Sequence, residues 1–202
     1  MDEAMLPLDF KNVKTDFVYV TEKNGEDGRV IPTAVKSPSF PAQRMFAAGY
    51  SYRGPTRFYA VPGKAKVNAD LFIKKILKPM FDIDVPKLYG ADAWKVILHM
   101  DSAPAHTAKR VVTWLKSRRT KSITKEEWLA NSPDVSPMGF FANGYLKQRL
   151  AQRNYTTEKG MIRAAQEEYK KIPLEIFQKS LDSWPARVLA IHKAKAFQAP
   201  NY

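Results

Sequence analysis

The sequence predicts a mixed α/β layered fold. Three observations carry that reading. Strand-like runs crowd the first half, one compact apolar run ends in an aspartate, and the last third repeats apolar residues at helical spacing. The chain has 202 residues, 45% hydrophobic and 26% charged, enough for a sizeable core and too apolar for a mainly disordered chain. Fourteen prolines and nine glycines argue against a plain helix bundle. Residues 1–202 read as a single domain, with the sheet and first helices over about 1–135 and C-terminal helices over about 136–197.

Asp16–Val20 (DFVYV) is a short β-rich run. Arg44–Arg53 and Arg57–Val61 read as two strands joined by a turn at Gly54-Pro55. Asn68 suits the N-cap of a helix over Ala69–Phe81, with Phe72, Ile73, Ile76, Leu77 and Met80 on one face. Trp94–Met100 (WKVILHM) shows little alternation, as a strand buried on both faces would. Asp101 closes that strand and Ser102-Ala103-Pro104 turns the chain. A helix over His106–Arg118 is expected next. Its inner face is Ala108, Val111, Val112 and Leu115, while Lys109, Thr113 and Lys116 line another face.

Pro137 opens a helical segment to Leu150. Thr156 or Thr157 caps the next helix, with Ile162, Ala165, Tyr169 and Ile172 in register and Pro173 ending it. Phe177, Leu181, Trp184, Val188 and Ile191 continue the pattern, and Pro185 must kink or restart that helix. Trp94, Trp114, Trp128 and Trp184 fall within apolar periodic runs and are expected in the core.

Several chemistries are excluded at once. With no cysteine there is no disulfide, thiol nucleophile or Cys-containing zinc site. Three histidines leave little room for a His-rich site, so any metal would be held by oxygen, which points to Mg²⁺ or Mn²⁺. No stretch approaches the ~18 apolar residues of a membrane span. Met1–Phe10 carries three acids and no base, unlike a signal or transit peptide.

The net charge of +13 is unevenly spread. Residues 1–35 carry seven acids and four bases, whereas residues 36–202 carry 29 bases and 13 acids. No acid lies between Asp101 and Glu126, where Lys109, Arg110, Lys116, Arg118, Arg119 and Lys121 cluster. A field of one sign suits a polyanion, and those six residues are the candidate nucleic-acid contacts.

Two blocks are specific. Trp94–Leu115 (WKVILHMDSAPAHTAKRVVTWL) resembles the second catalytic block of mariner-superfamily transposases, a hydrophobic strand, an Asp and a close Ala-Pro-x-His. Trp128–Leu146 (WLANSPDVSPMGFFANGYL) is similar to the family's Ser-Pro-Asp block, and DEAMLPLDFKNVKTD to its first catalytic block. The remaining blocks follow in family order along essentially the whole chain.

The resemblance implies an RNase H-like fold and an acidic triad holding two divalent ions for DNA strand cleavage and transfer. Asp2 matches the first acid and Asp101 the second. In the branch most resembled, 37 residues separate the third acid from the second, and that count arrives at Gly139. Asn143 stands where the family has Trp, and Ala4 where it has Lys. A two-metal site needs several carboxylates to neutralise the ions and fix them ~3.5–4 Å apart. Glycine supplies none, so Asp2 and Asp101 are expected to be vestigial, holding at most one Mg²⁺ or Mn²⁺. Asp134 matches a loop position that is not a ligand in the family, and His106 is expected to serve packing or hydrogen bonding.

The expected function is therefore a transposase-derived domain, catalytically inactive, that binds nucleic acid, DNA rather than RNA, through its basic surface. The alternatives are a structural part of a larger assembly such as a ribonucleoprotein, or an active metal-dependent transposase. The family's helix-turn-helix modules precede this domain and do not occur ahead of Asp2, so recognition of transposon ends is not expected of these residues. For the upstream half of the first strand, two expectations stand: the natural chain is longer than these residues, or another segment or a protein partner covers the gap. Nuclear residence is what the resemblance implies, with Lys116–Lys121 (KSRRTK) as the candidate import run.

Overall fold

The computed structural model describes residues 1–7, 43–61, 67–124, 126–127 and 135–194. The expected strand at Asp16–Val20, and Trp128 and Asp134, lie outside the described residues.

Strand β1 (Asp2–Pro7) pairs antiparallel with β2 (Gln43–Ala48), with Asp2 opposite Ala48 and Leu6 opposite Arg44. β2 also pairs antiparallel with β5 (Tyr59–Ala60), giving the order β1-β2-β5. Between them, β3 (Tyr50–Ser51) and β4 (Gly54–Pro55) form a small hairpin. Its turn falls at Tyr52-Arg53 rather than at the expected Gly54-Pro55. Gly54 takes a φ of 129°, open to glycine but strained for a side chain, and Pro55 follows it at the edge of the hairpin. The expected strand from Arg44 is interrupted at Gly49, where a Cβ would lie 3.0 Å from that of Met1.

The helix expected over Ala69–Phe81 is longer than predicted. α1 (Ala69–Phe72) is capped by Asn68, whose side chain accepts from the Leu71 N–H at 2.9 Å. π turns over Ile73–Leu77 and Met80–Asp84 carry the run on to α2 (Val85–Tyr89). Pro79 has no N–H to donate, and the altered bonding of the π turns takes the chain past it.

The apolar run Trp94–Met100 departs most from expectation. Gly90–Lys95 forms a 3-10 turn and only Ile97–Leu98 is strand, β6, paired in parallel with β7 (Lys121–Ser122). Leu98 is buried, but Ile97 is 59% and Trp94 69% exposed. The segment is therefore not a strand covered on both faces, and Trp94 is not a core residue. Low alternation signals burial only when both faces find partners, and β6 buries one.

The helix expected over His106–Arg118 is broken at Ala108, which leaves helical geometry at ψ 136°. α3 (Pro104–Thr107) precedes the break and α4 (Lys109–Ser117) follows it. Val111 and Leu115 are buried as expected, but Val112 is 38% exposed because a step of one residue turns it off their stripe.

After Pro137, a π turn over Met138–Ala142 leads into α5 (Asn143–Ala151). The Thr157 side chain, not that of Thr156, caps α6 (Glu158–Lys170) by accepting from the Gly160 N–H. α7 (Leu174–Asp182) and α8 (Trp184–Ala194) follow, and Pro185 sits at the restart, where its missing donor costs nothing.

Alternation along β2 organises the core. Phe46 and Ala48 face one cluster with Leu6, Leu146, Tyr169 and Phe177, whereas Ala47 faces another with Phe72, Ile76, Val111 and Leu115. The sheet thus lies between α5–α7 on one side and α1 with α4 on the other. Fully burying each large apolar side chain contributes about 1.5–3 kcal/mol. Phe46 stacks on Phe58 at 4.5 Å, and the buried Tyr169 hydroxyl donates to the Gly49 carbonyl at 2.7 Å.

Candidate functional site

The first residues of β1, the turn after β6, α3 and the start of α5 bring five polar side chains to one end of the sheet. Asp2 and Asp101 are close enough that the Asp101 charge acts on Asp2. Burial, with that charge second, raises the Asp2 carboxyl to about 6. One Asp2 oxygen accepts the Glu3 N–H at 2.8 Å, and the other accepts from the Asn143 amide at 3.1 Å.

His106 is fully buried, its ring 4.5 Å from that of Phe72. Its Nδ1 meets Asp101 Oδ1 at 2.7 Å, and its Nε2 meets Glu3 Oε2 at 2.8 Å. Burial alone would push the imidazole down. The hydrogen bonds and charges of Asp101 and Glu3 outweigh it and raise the group to about 9, so at neutral pH it bridges two carboxylates as a cation. Asp101 is held below the usual carboxylate range, chiefly by its bond to His106, against the effect of burial. Its Oδ1 also accepts the Ala103 N–H at 3.0 Å.

The sequence-predicted pair, Asp2 and Asp101, is thus brought together. Gly139 lies exposed on the π turn before α5, one turn ahead of Asn143, and offers no side-chain oxygen. Among the described residues, no group of three His, Cys, Asp or Glu is arranged to hold a metal ion. Imidazole already occupies Glu3 and Asp101, and a carboxamide occupies Asp2. Glu3 is not among the sequence-predicted site residues, though its place beside Asp2 is the available signal. Asn143 was noted only as a departure from family pattern.

The six basic residues all lie at the surface, exposed on α4, just after it, or on β7. They are not equally available. Arg118 pairs with Asp82 at 2.7 Å and covers the Trp114 ring, and Arg110 pairs with Asp70 at 2.8 Å. Lys109, Lys116, Arg119 and Lys121 meet no carboxylate among the described residues, and Arg119 takes a left-handed φ of 55°.

Fold and sequence together place this chain in likeness to one class, the catalytic domain of mariner-type transposases. No family model matches the chain. In sequence it is 28% identical over 101 residues to the transposable element Tcb1 transposase of Caenorhabditis briggsae and 25% identical to the Tc1 transposase of Caenorhabditis elegans. Each match covers 50% of this chain and 36% of the relative, so the similarity spans about a third of those proteins.

In structure the chain superposes on Mos1 transposase in its paired-end complex with the left transposon end, with a TM-score of 0.75 at 18% identity, over 97% of this chain and 55% of that one. It superposes on the isolated Mos1 catalytic domain, solved with raltegravir and Mn, with a TM-score of 0.65 over 75% of each chain. The same domain is also known with Mg. The fold is accordingly that of an RNase H-like transposase catalytic domain. Among the described residues, no helix is long and apolar enough to cross a membrane.

Proposed function

We propose that this chain is a transposase-derived domain that has lost strand-transfer chemistry and binds nucleic acid through its basic surface. One observation carries the loss. Where the third acid is expected stands the exposed Gly139, and one turn on, Asn143 spends its amide on the Asp2 carboxylate. A site that satisfies its carboxylates with internal donors has no vacant oxygen cage for two cations. The Mos1 complexes with transposon ends support DNA as the polyanion, and the likeness to transposases supports a nuclear location.

Binding is expected to be insensitive to sequence and to weaken steeply between about 50 and 200 mM salt, because phosphate contacts release counterions. A salt-independent anisotropy titration on random duplex DNA would remove this reading. Manganese-dependent cleavage of a DNA substrate, abolished by Asp101→Ala, would restore the active-enzyme alternative.

A second reading, a structural part of a larger assembly, is favoured by one further observation. The Met1 nitrogen donates to the His99 carbonyl at 2.6 Å, as neighbouring strands do, and beside it lies an apolar cavity of about 520 Å³ lined by Tyr50, Ile97, His99 and Trp184. An extended segment from a protein partner could fill it and pair with β6. Native purification at high salt that yields a folded monomer, with no partner attached, would argue against this reading.

A further inference from the structure

We propose that the open groove between the helical run 69–89 and α4 seats the phosphodiester backbone of one nucleic-acid strand. This rests on the nucleic-acid reading above and assigns it to one place. The groove has a volume of about 710 Å³. Lys74 stands on one wall, and Lys109, Arg110 and Thr113 stand on the other. Ile73 and Trp114, both half-buried, line it between the two walls. Cations on both sides of an apolar floor match a strand whose phosphates face the walls and whose sugars and bases lie over the floor.

The electrostatics separate this groove from the rest of the basic surface. Lys74 and Lys109 meet no carboxylate among the described residues, and Thr113 is exposed. Among the described residues Arg110 pairs only with Asp70 across the groove, and both side chains are well exposed, so an incoming phosphate can displace the carboxylate at little cost. Arg118, by contrast, is committed to Asp82 and to the Trp114 ring. Sequence alone points only to the basic run Lys109–Lys121 for the contacts. Lys74, on the π turn Ile73–Leu77, enters only because the helical run that α1 opens folds against α4.

The experiment titrates labelled random duplex DNA and oligo-dT of the same length with the wild-type chain, with Lys74→Glu/Lys109→Glu, with Asp70→Asn, and with a charge-matched control, Lys147→Glu/Lys170→Glu, on α5 and α6. The groove variant is expected to bind about tenfold or more weakly than the control variant, with a salt slope shallower by about two, one for each lost phosphate contact. Asp70→Asn frees Arg110 and is expected to tighten binding about two- to fivefold, an effect that misfolding cannot mimic. Preference for oligo-dT over duplex would identify a single strand as the occupant, and the reverse a duplex edge.

If the wild type binds with the expected salt dependence but groove and control variants weaken equally, the groove assignment falls while the nucleic-acid reading stands. Displacement of DNA by poly-glutamate at equal charge would reassign the groove to an acidic protein. If the wild type binds neither probe, the nucleic-acid reading itself fails and takes the groove with it.

Discussion

The Asn143 amide nitrogen lies 3.1 Å from Asp2 Oδ2, tying the first turn of α5 to the first residue of β1 across 141 positions of sequence. That bond does by hydrogen bonding what a bound cation would do by charge. It satisfies a carboxylate in a partly buried corner that also faces Asp101.

Asn143→Ala is expected to cost about 1 kcal/mol, because a partly buried carboxylate loses its donor. For a chain of this size that lowers Tm by about 2–4 °C in a calorimetric or circular-dichroism melt. An unchanged Tm would mean the bond contributes nothing.

Gly139→Asp is expected to raise Mn²⁺ affinity by about tenfold or more over the wild type, since a carboxylate would return to the corner where Asp2 and Asp101 meet. Electron paramagnetic resonance titration of free Mn²⁺ reads this directly. Tight binding by the wild type would contradict a lost metal site, whatever the variant does.

The contribution of His106 to stability is expected to fall as pH rises from about 6.5 to 9, and the sign follows from its raised value. His106 is raised to about 9 in the folded chain. Its ordinary value is about 6.5, so the bridge contributes fully below that pH and is lost as pH rises through 9. Asp2, raised to about 6, loses its contribution as pH rises through 6, but His99, which burial lowers to about 4, acts in the opposite direction over the same range and offsets it. His106→Gln should flatten the Tm profile above about pH 6.5. His106→Ala should cost about 3 kcal/mol, the low end for breaking a buried ion pair, because the Asp101 side chain is 43% exposed. Parallel profiles for wild type and His106→Gln would exclude the cationic bridge.

Tyr169→Phe removes the one hydroxyl that satisfies the Gly49 carbonyl from the α6 side. The expected loss is about 1 kcal/mol, read as a shift in the urea midpoint without a change in slope. A changed slope would instead indicate an altered denatured state.

The layered α/β class, the N-cap Asn68 and a cap at Thr156 or Thr157 were legible in the sequence, because each is written in local chemistry, whereas Asp2 and Asp101 were singled out only through the family resemblance. Other features depend on which faces the neighbouring layers cover. Trp94 and Ile97 read as core because their run is apolar, yet they are exposed because β6 buries one face. Tertiary packing alone decided that His106 would bridge Glu3 and Asp101, that Asn143 would reach Asp2, and that Lys74 would stand across a groove from Lys109. These contacts join residues up to 141 positions apart, and hydrogen bonds and charge fields act over a few ångströms of space, whatever the separation along the chain.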